Sequence, residues 1–130
     1  MGKVRVSIVR ARGYDYTEVS TAIQRSIKLT GGIEKLITPG MRVFVKINHL
    51  SPASPAERGI VTHPVFVEAV LNLLKGTGAS ITAGDDIDSG SGDGFQVSGL
   101  HHACNRAGIA LINLKEAGFI EVSCRGKLLR

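Results

Sequence analysis

Cysteine and aromatic residues are scarce in this chain of 130 residues, which has two cysteines, two tyrosines, four phenylalanines and no tryptophan. The cysteines form no Cys-x-x-Cys pair, so the sequence predicts no disulfide scaffold, no zinc knuckle and no iron–sulfur cluster held by this chain. Long apolar runs are also missing: none approaches the ~18 residues of a membrane helix, and the start has no continuous apolar signal region. We therefore expect a cytoplasmic protein without a membrane partner.

The charge of the chain is unbalanced, because sixteen Lys and Arg face eleven Asp and Glu and give a net charge of +5. This excess favours an anionic partner. The basic residues are spread along the chain without a long run of one sign, so nucleic acid is not indicated as the partner, although a nucleic-acid binder driven by net charge stays open. The length predicts a single domain over residues 1–130.

Strand and helix patterns alternate along the chain. Strands are predicted over Val4–Arg10, Arg42–Ile47, Ser80–Gly84, Ile109–Asn113 and Phe119–Ser123. Helices are predicted from Asp15 to the Gly31-Gly32 pair, from Thr62 to Gly76, and over Val97–Ala107. This order predicts an α/β fold, a Rossmann-like and mostly parallel sheet with helices on both faces. Residues 128–130 indicate the start of a return strand, a candidate antiparallel edge at the C-terminus.

Polar residues collect where the predicted strands end. Lys46 and Asn48 close the second strand, Thr62 and His63 open the second helix, and Asp85 follows the third strand. Ligands of open parallel sheets bind beyond these carboxyl ends. An ammonium within a half-buried strand needs a carboxylate or a bound anion, and a helix N-terminus attracts anions. We expect a site for a small anionic molecule, with no reaction assigned; a lysine that merely reaches solvent and an exposed first-turn histidine are the alternatives.

The acidic loop after the third strand offers candidate metal ligands. Asp85, Asp86 and Asp88 could hold a hard divalent cation such as Mg²⁺ together with ligand oxygens. An EF-hand is excluded, because Gly90 and Val97 stand at its fifth and twelfth positions. The alternative is a solvated turn in which Asp and Gly serve the backbone.

Three histidines and a cysteine carry weaker signals. His49 is interpreted as an incidental loop residue, and His101 and His102 as surface residues of the third helix. Cys104 shares the inward stripe of that helix, so it is interpreted as a buried small hydrophobe rather than a nucleophile.

The order of these motifs resembles the domain-of-unknown-function family 362. The likeness covers nearly the whole chain, from the first strand through Pro39-Gly40 and Thr62-His63-Pro64 to the Gly84-Asp85 pair. It implies an α/β domain of prokaryotic type, sometimes joined to ferredoxin-like modules that this sequence does not contain. The family's recurring positions match Lys46, Asn48, Thr62, His63, Pro64 and Asp85, whereas Ile47 stands where the family usually has proline.

The resemblance also implies a truncated chain, since the family domain continues beyond residue 130. A non-catalytic assembly module is therefore the second hypothesis. In it, an exposed edge strand pairs with a like chain, giving a homo-oligomer, or with a second subunit.

Overall fold

The computed structural model describes residues 4–50, 55–87 and 93–123. Its strands are β1 (Arg42–Lys46), β2 (Ser80–Asp85) and β3 (Ala110–Asn113). Its helices are α1 (Tyr16–Thr30), α2 (Pro64–Lys75), α3 (Gly94–Val97) and α4 (Leu100–Ala107), and 3₁₀ turns lie at Ile33–Lys35 and Ala56–Arg58. Among these described segments, none of the helices has the length and apolar character needed to cross a membrane.

The three strands form one parallel sheet in the order β1-β2-β3. Helix α2 crosses from β1 to β2, and α3 and α4 lie on the connection from β2 to β3. The α/β class and the parallel sheet are therefore confirmed. The antiparallel edge strand is not supported, because every strand pair of the described sheet is parallel and residues 128–130 lie outside the described residues.

The ends of α1 are set by capping residues that adjoin the helix in sequence. The Asp15 side chain accepts a hydrogen bond from the Glu18 backbone N–H at 3.0 Å, the cap that the sequence predicts for α1. Helix α1 ends at Gly31, whose φ of +121° suits glycine. The third helix, expected over Val97–Ala107, begins only at Leu100, because the chain turns at Gly99 with φ +77°, and Val97 ends the separate short helix α3.

The main core lies between the sheet and the helices α2 and α4. Its buried members are Ile47, Val67, Leu71, Ala83, Ile87, Phe95, Leu100, Cys104 and Ala107. Helix α1 packs against α2 in a second, smaller cluster of Val19, Ile23 and Ala69. On the other face of the sheet Phe44 and Ile112 stay 45% and 36% exposed, so the described helices cover one face and not both.

Two predicted strands do not form. Residues 4–10 and 119–123 are described, yet neither segment pairs with the sheet. Their apolar side chains at positions 4, 6, 8, 119, 120 and 122 are each at least 72% exposed. A strand needs a neighbour for its backbone N–H and C=O groups, and an alternating sequence does not report whether a neighbour is present.

Candidate functional site

Parallel pairing brings Lys46 and Asp85 together at the carboxyl edge of the sheet. Lys46 stands opposite Gly84 in the register, so the next residue of β2 is within reach of its side chain. Lys46 Nζ lies 2.8 Å from Asp85 Oδ1. The carboxylate is 5% exposed and the lysine side chain 59%, so this pair joins a buried anion to a cation that reaches solvent.

The Asp85 carboxylate is held on both oxygens. Its Oδ2 accepts a hydrogen bond from the His49 backbone N–H at 2.7 Å. Burial by itself raises the pKa of Asp85, but the hydrogen bond from Lys46, the backbone N–H groups of His49 and Asp86 and the charge of Lys46 outweigh burial and lower the pKa below its usual value. Asp85 is thus ionised at neutral pH and holds Lys46 in place.

This lowered pKa predicts that Asp85 stabilises the fold above its unfolded pKa of 3.8 and that the stabilisation is lost as the pH falls towards the folded value. Asp85→Asn should therefore lower the free energy of unfolding at pH 7 by about 1–3 kcal/mol, with a smaller deficit at pH 3. Urea unfolding at pH 7, 5, 4 and 3 measures both. The matched control is Asp86→Asn, which changes an exposed neighbouring carboxylate. Equal deficits at all four pH values would contradict the assignment.

Asn48 links this pair to the start of α2. Its side-chain Oδ1 accepts from Lys46 Nζ at 3.3 Å. Its backbone carbonyl accepts from the Thr62 N–H at 2.9 Å and from the Thr62 hydroxyl at 3.3 Å. His49 and Val61 form an antiparallel bridge beside them. The two ends of the connection between β1 and α2 are therefore joined to each other. Four of the five predicted ligand-binding residues form one contact chain: Lys46, Asn48, Thr62 and Asp85.

His63, the fifth residue, follows Thr62 and caps α2. Its Nδ1 accepts from the Val65 backbone N–H at 3.3 Å, and its ring stacks on Tyr14 with centroids 3.5 Å apart. Desolvation lowers the pKa of His63, and the charge of Glu57 opposes part of that effect. In the structure His63 therefore caps α2. It adjoins the contact chain as the sequence neighbour of Thr62, rather than by packing against the Lys46–Asp85 pair.

His49 is buried, so its interpretation as an incidental loop residue is wrong. Its Nε2 lies 3.0 Å from the Gly94 carbonyl oxygen, and its ring meets Phe95 edge-on at 5.5 Å. A neutral ring that donates from Nε2 leaves Nδ1 as an acceptor, and within the described residues Nδ1 has no hydrogen-bond partner. The alternation that runs inward through Val45 and Ile47 continues to His49, a signal that could have revealed it.

Of the three predicted metal ligands, the structure describes Asp85 and Asp86. Both oxygens of Asp85 already accept hydrogen bonds, Asp86 lies 4.0 Å from the Lys115 ammonium, and Asp88 falls outside the described residues. Within the described ranges no three His, Cys, Asp or Glu side chains are grouped closely enough to hold an ion. The Mg²⁺ site therefore stays a prediction.

The residues of α4 behave as their helix positions indicate. Cys104 is fully buried, and burial raises the pKa of its thiol to about 11, so the thiolate needed for nucleophilic chemistry is suppressed. His101 Nδ1 lies near the side-chain amides of Gln96 and Asn105, at 3.1 and 3.3 Å. His102 meets the His101 ring edge-on at 5.9 Å.

A separate apolar cavity of about 570 Å³ lies between residues 9–14, α1 and α2. Its lining includes Tyr14, Ile23, Phe66 and Val70. Tyr14 touches His63, but the residues of the Lys46–Asp85 pair do not line this space. The polar site is therefore an open edge of the sheet and not the cavity.

These features define an α/β domain whose parallel strands direct a charged cluster to one edge of the sheet. The family described as Domain of unknown function (DUF362) matches residues 43–130, more than half of the chain, so the chain belongs to that family. The match includes every residue of the polar cluster, whereas α1 precedes it.

One curated relative is the thylakoid-associated protein sll1697 of Synechocystis sp. (strain ATCC 27184 / PCC 6803 / Kazusa). It is 30% identical over 89 residues, which are 68% of this chain and 27% of the relative. The chain therefore spans about a quarter of the length of the relative that it matches. No solved structure is significantly similar to the chain.

Proposed function

We propose that the carboxyl edge of the sheet binds a small anionic ligand through Lys46, Asn48 and His63, with Thr62 positioning Asn48 through its two hydrogen bonds to the Asn48 carbonyl oxygen. Asp85 orients Lys46 in this proposal and does not itself contact the anion. The observation that carries the proposal is the Lys46 ammonium, which is held by two oxygens while its side chain stays 59% exposed.

The hydrogen-bond roles at this edge favour a ligand rich in acceptor atoms. An ammonium has three donors, and Asp85 and Asn48 take two of them. Asn48 accepts through Oδ1, which leaves the two N–H groups of its amide as donors. His63 accepts through Nδ1, so its neutral ring carries the proton on Nε2 and donates from there. Carboxylate and phosphate oxygens complement such a set.

The contacts of Asp85 favour an anionic ligand over a Mg²⁺ ion at this edge. Mg²⁺ coordinated by Asp85 would lie beside the Lys46 ammonium, whose positive charge repels a cation, on a carboxylate whose two oxygens already accept hydrogen bonds. A bridging ion would instead rely on Asp86 and on ligand oxygens. Titrations with and without Mg²⁺ separate the two possibilities, because a ligand that needs the ion gives heat only in its presence.

Isothermal titration with phosphate, pyrophosphate and succinate at low ionic strength tests the site. Lys46→Met keeps most of the aliphatic stem and removes the charge, so we expect the affinity of the responding anion to fall at least about tenfold, from the loss of a hydrogen bond to a charged group. Lys28→Met in α1 removes the same charge away from the sheet edge and should leave the affinity unchanged.

Circular dichroism of both variants separates lost binding from lost folding. Identical heats for the wild-type chain and a folded Lys46→Met variant would overturn the site. The predicted cytoplasmic location belongs to the same proposal, and immunoblotting of the cytoplasmic and membrane fractions of cells expressing the chain tests it.

A further inference from the structure

Strand β1 is an outer strand of the described sheet, and one row of its backbone groups points away from β2. The Met41 carbonyl oxygen accepts from the Ser80 N–H at 2.8 Å, and the Ile47 N–H donates to the Gly84 carbonyl oxygen at 2.9 Å. Successive residues of a strand direct their backbone groups to opposite sides. The N–H and C=O groups of Arg42, Phe44 and Lys46 therefore face the open edge, which is a template for another strand.

The side chains of the same three residues share the uncovered face of the sheet. Phe44 stays 45% exposed at the centre, and Arg42 and Lys46 flank it. Lys46 is engaged by Asp85, which leaves Arg42 as the cation at the start of the strand. A strand that fits this edge has an acid opposite Arg42 and an apolar residue opposite Phe44.

Residues 119–123 have this pattern. Phe119, Ile120 and Val122 are among the most exposed apolar residues of the chain, and Glu121 lies between them. In an antiparallel pairing that places Glu121 opposite Arg42, Phe119 comes opposite Phe44 and Ile120 opposite Val43. Positions 42 and 44 are the ones whose backbone groups face the edge, so this register also forms the hydrogen-bonded pairs.

Charge favours residues 119–123 over residues 4–10 as the strand that pairs with β1. Residues 4–10 also present apolar side chains to solvent, but they carry Arg5 and Arg10. Placing them along β1 would set like charges beside Arg42 and Lys46, which is unfavourable in cross-strand pairs.

We propose that residues 119–123 of one copy of this chain add as an antiparallel strand to the β1 edge of a second copy, and that the exchange is reciprocal. A two-fold axis makes both contacts identical and closes the assembly as a dimer. This pairing is independent of the anion site, since its central contacts are Arg42 with Glu121 and Phe44 with Phe119.

Size-exclusion chromatography with light scattering over a concentration series tests the dimer. The wild-type chain should approach twice the chain mass of 13.8 kDa. Arg42→Glu and Glu121→Arg should each raise the dimer dissociation constant at least tenfold. An equimolar mixture of the two variants should restore the dimer, because each contact then pairs opposite charges again. Arg25→Glu, an equal charge change on the exposed side of α1, is the control.

The mixture shows that both variants are folded, so failure to fold does not imitate the expected result. A wild-type chain that is monomeric at every concentration would overturn the proposal, as would a dimer that neither variant weakens. If the wild-type chain is monomeric and the two variants are less stable than it, residues 119–123 pair with β1 of their own chain. That result would also overturn the proposal.

Discussion

Replacing Gly84 by alanine should cost the fold at least about 4 kcal/mol, a large part of the roughly 5–15 kcal/mol by which an ordinary domain is stable. Gly84 lies in the central strand, opposite Lys46 on one side and Ile112 on the other. A Cβ at this position would collide with the carbonyl oxygen of Ile112 and lie 2.9 Å from its Cγ1. The oxygen belongs to the backbone of β3, so relief requires the two strands to separate.

Gly13→Ala is the matched control, because a Cβ there meets no atom within 4 Å and the residue has no positive φ. Urea unfolding followed by circular dichroism measures both variants. The control should stay within about 0.5 kcal/mol of the wild-type chain. A Gly84→Ala chain that unfolds within about 1 kcal/mol of the wild type would show that the β2–β3 pairing is looser than described.

The second large effect is expected at Leu71, which is fully buried in α2 and belongs to the core under the sheet. Leu71→Ala removes three buried carbons and leaves a cavity between α2, the sheet and α4, for an expected loss of about 2–5 kcal/mol. The same helix carries the His63 cap at its start, so its displacement would also move His63, one of the residues of the proposed anion site.

Leu29→Ala is the control for this change, because Leu29 lies near the end of α1 with about half of its surface in water. We expect its cost to stay below about 1 kcal/mol. Thermal unfolding of both variants supplies the comparison. Equal midpoints would mean that the core relaxes around Leu71 without a cavity.

The elements that the sequence predicts well are those whose signals are local. Asp15 and Glu18 start α1 through one short hydrogen bond, and the glycine after Thr30 ends it. Pro64 in the first turn and the apolar stripe behind it predict α2. These residues act on neighbours in the chain, so reading them requires no knowledge of the tertiary structure.

The elements that the sequence predicts wrongly depend on contacts between distant residues. Residues 4–10 and 119–123 alternate as strands do, but no described strand lies beside them. The helix predicted over residues 97–107 is likewise interrupted, because Gly99 turns beside Pro64 of another helix. In each case the deciding neighbour is remote in sequence, where periodicity carries no information.

In the polar site, too, one contact could be predicted from the sequence and another could not. The Lys46–Asp85 contact could be anticipated, because parallel strands end at one edge and a lysine inside a strand needs a counter-charge. The burial of His49 had one local signal, the inward alternation of Val45 and Ile47, but its partners Gly94 and Phe95 lie more than forty residues away and could not be predicted. It positions Asp85 through its backbone, a role that no side-chain motif encodes.

The hydrogen bonds that join the two ends of the connection between β1 and α2 have a consequence for the length of this connection among relatives. Asn48 and Thr62 are joined by hydrogen bonds, and His49 bridges Val61, so the ends of this connection are fixed independently of the residues between them. Lengthening a connection whose ends are already held costs little free energy. Insertions or deletions between these two ends should therefore leave the sheet and its helices intact, so relatives can differ in the length of this connection without loss of the fold.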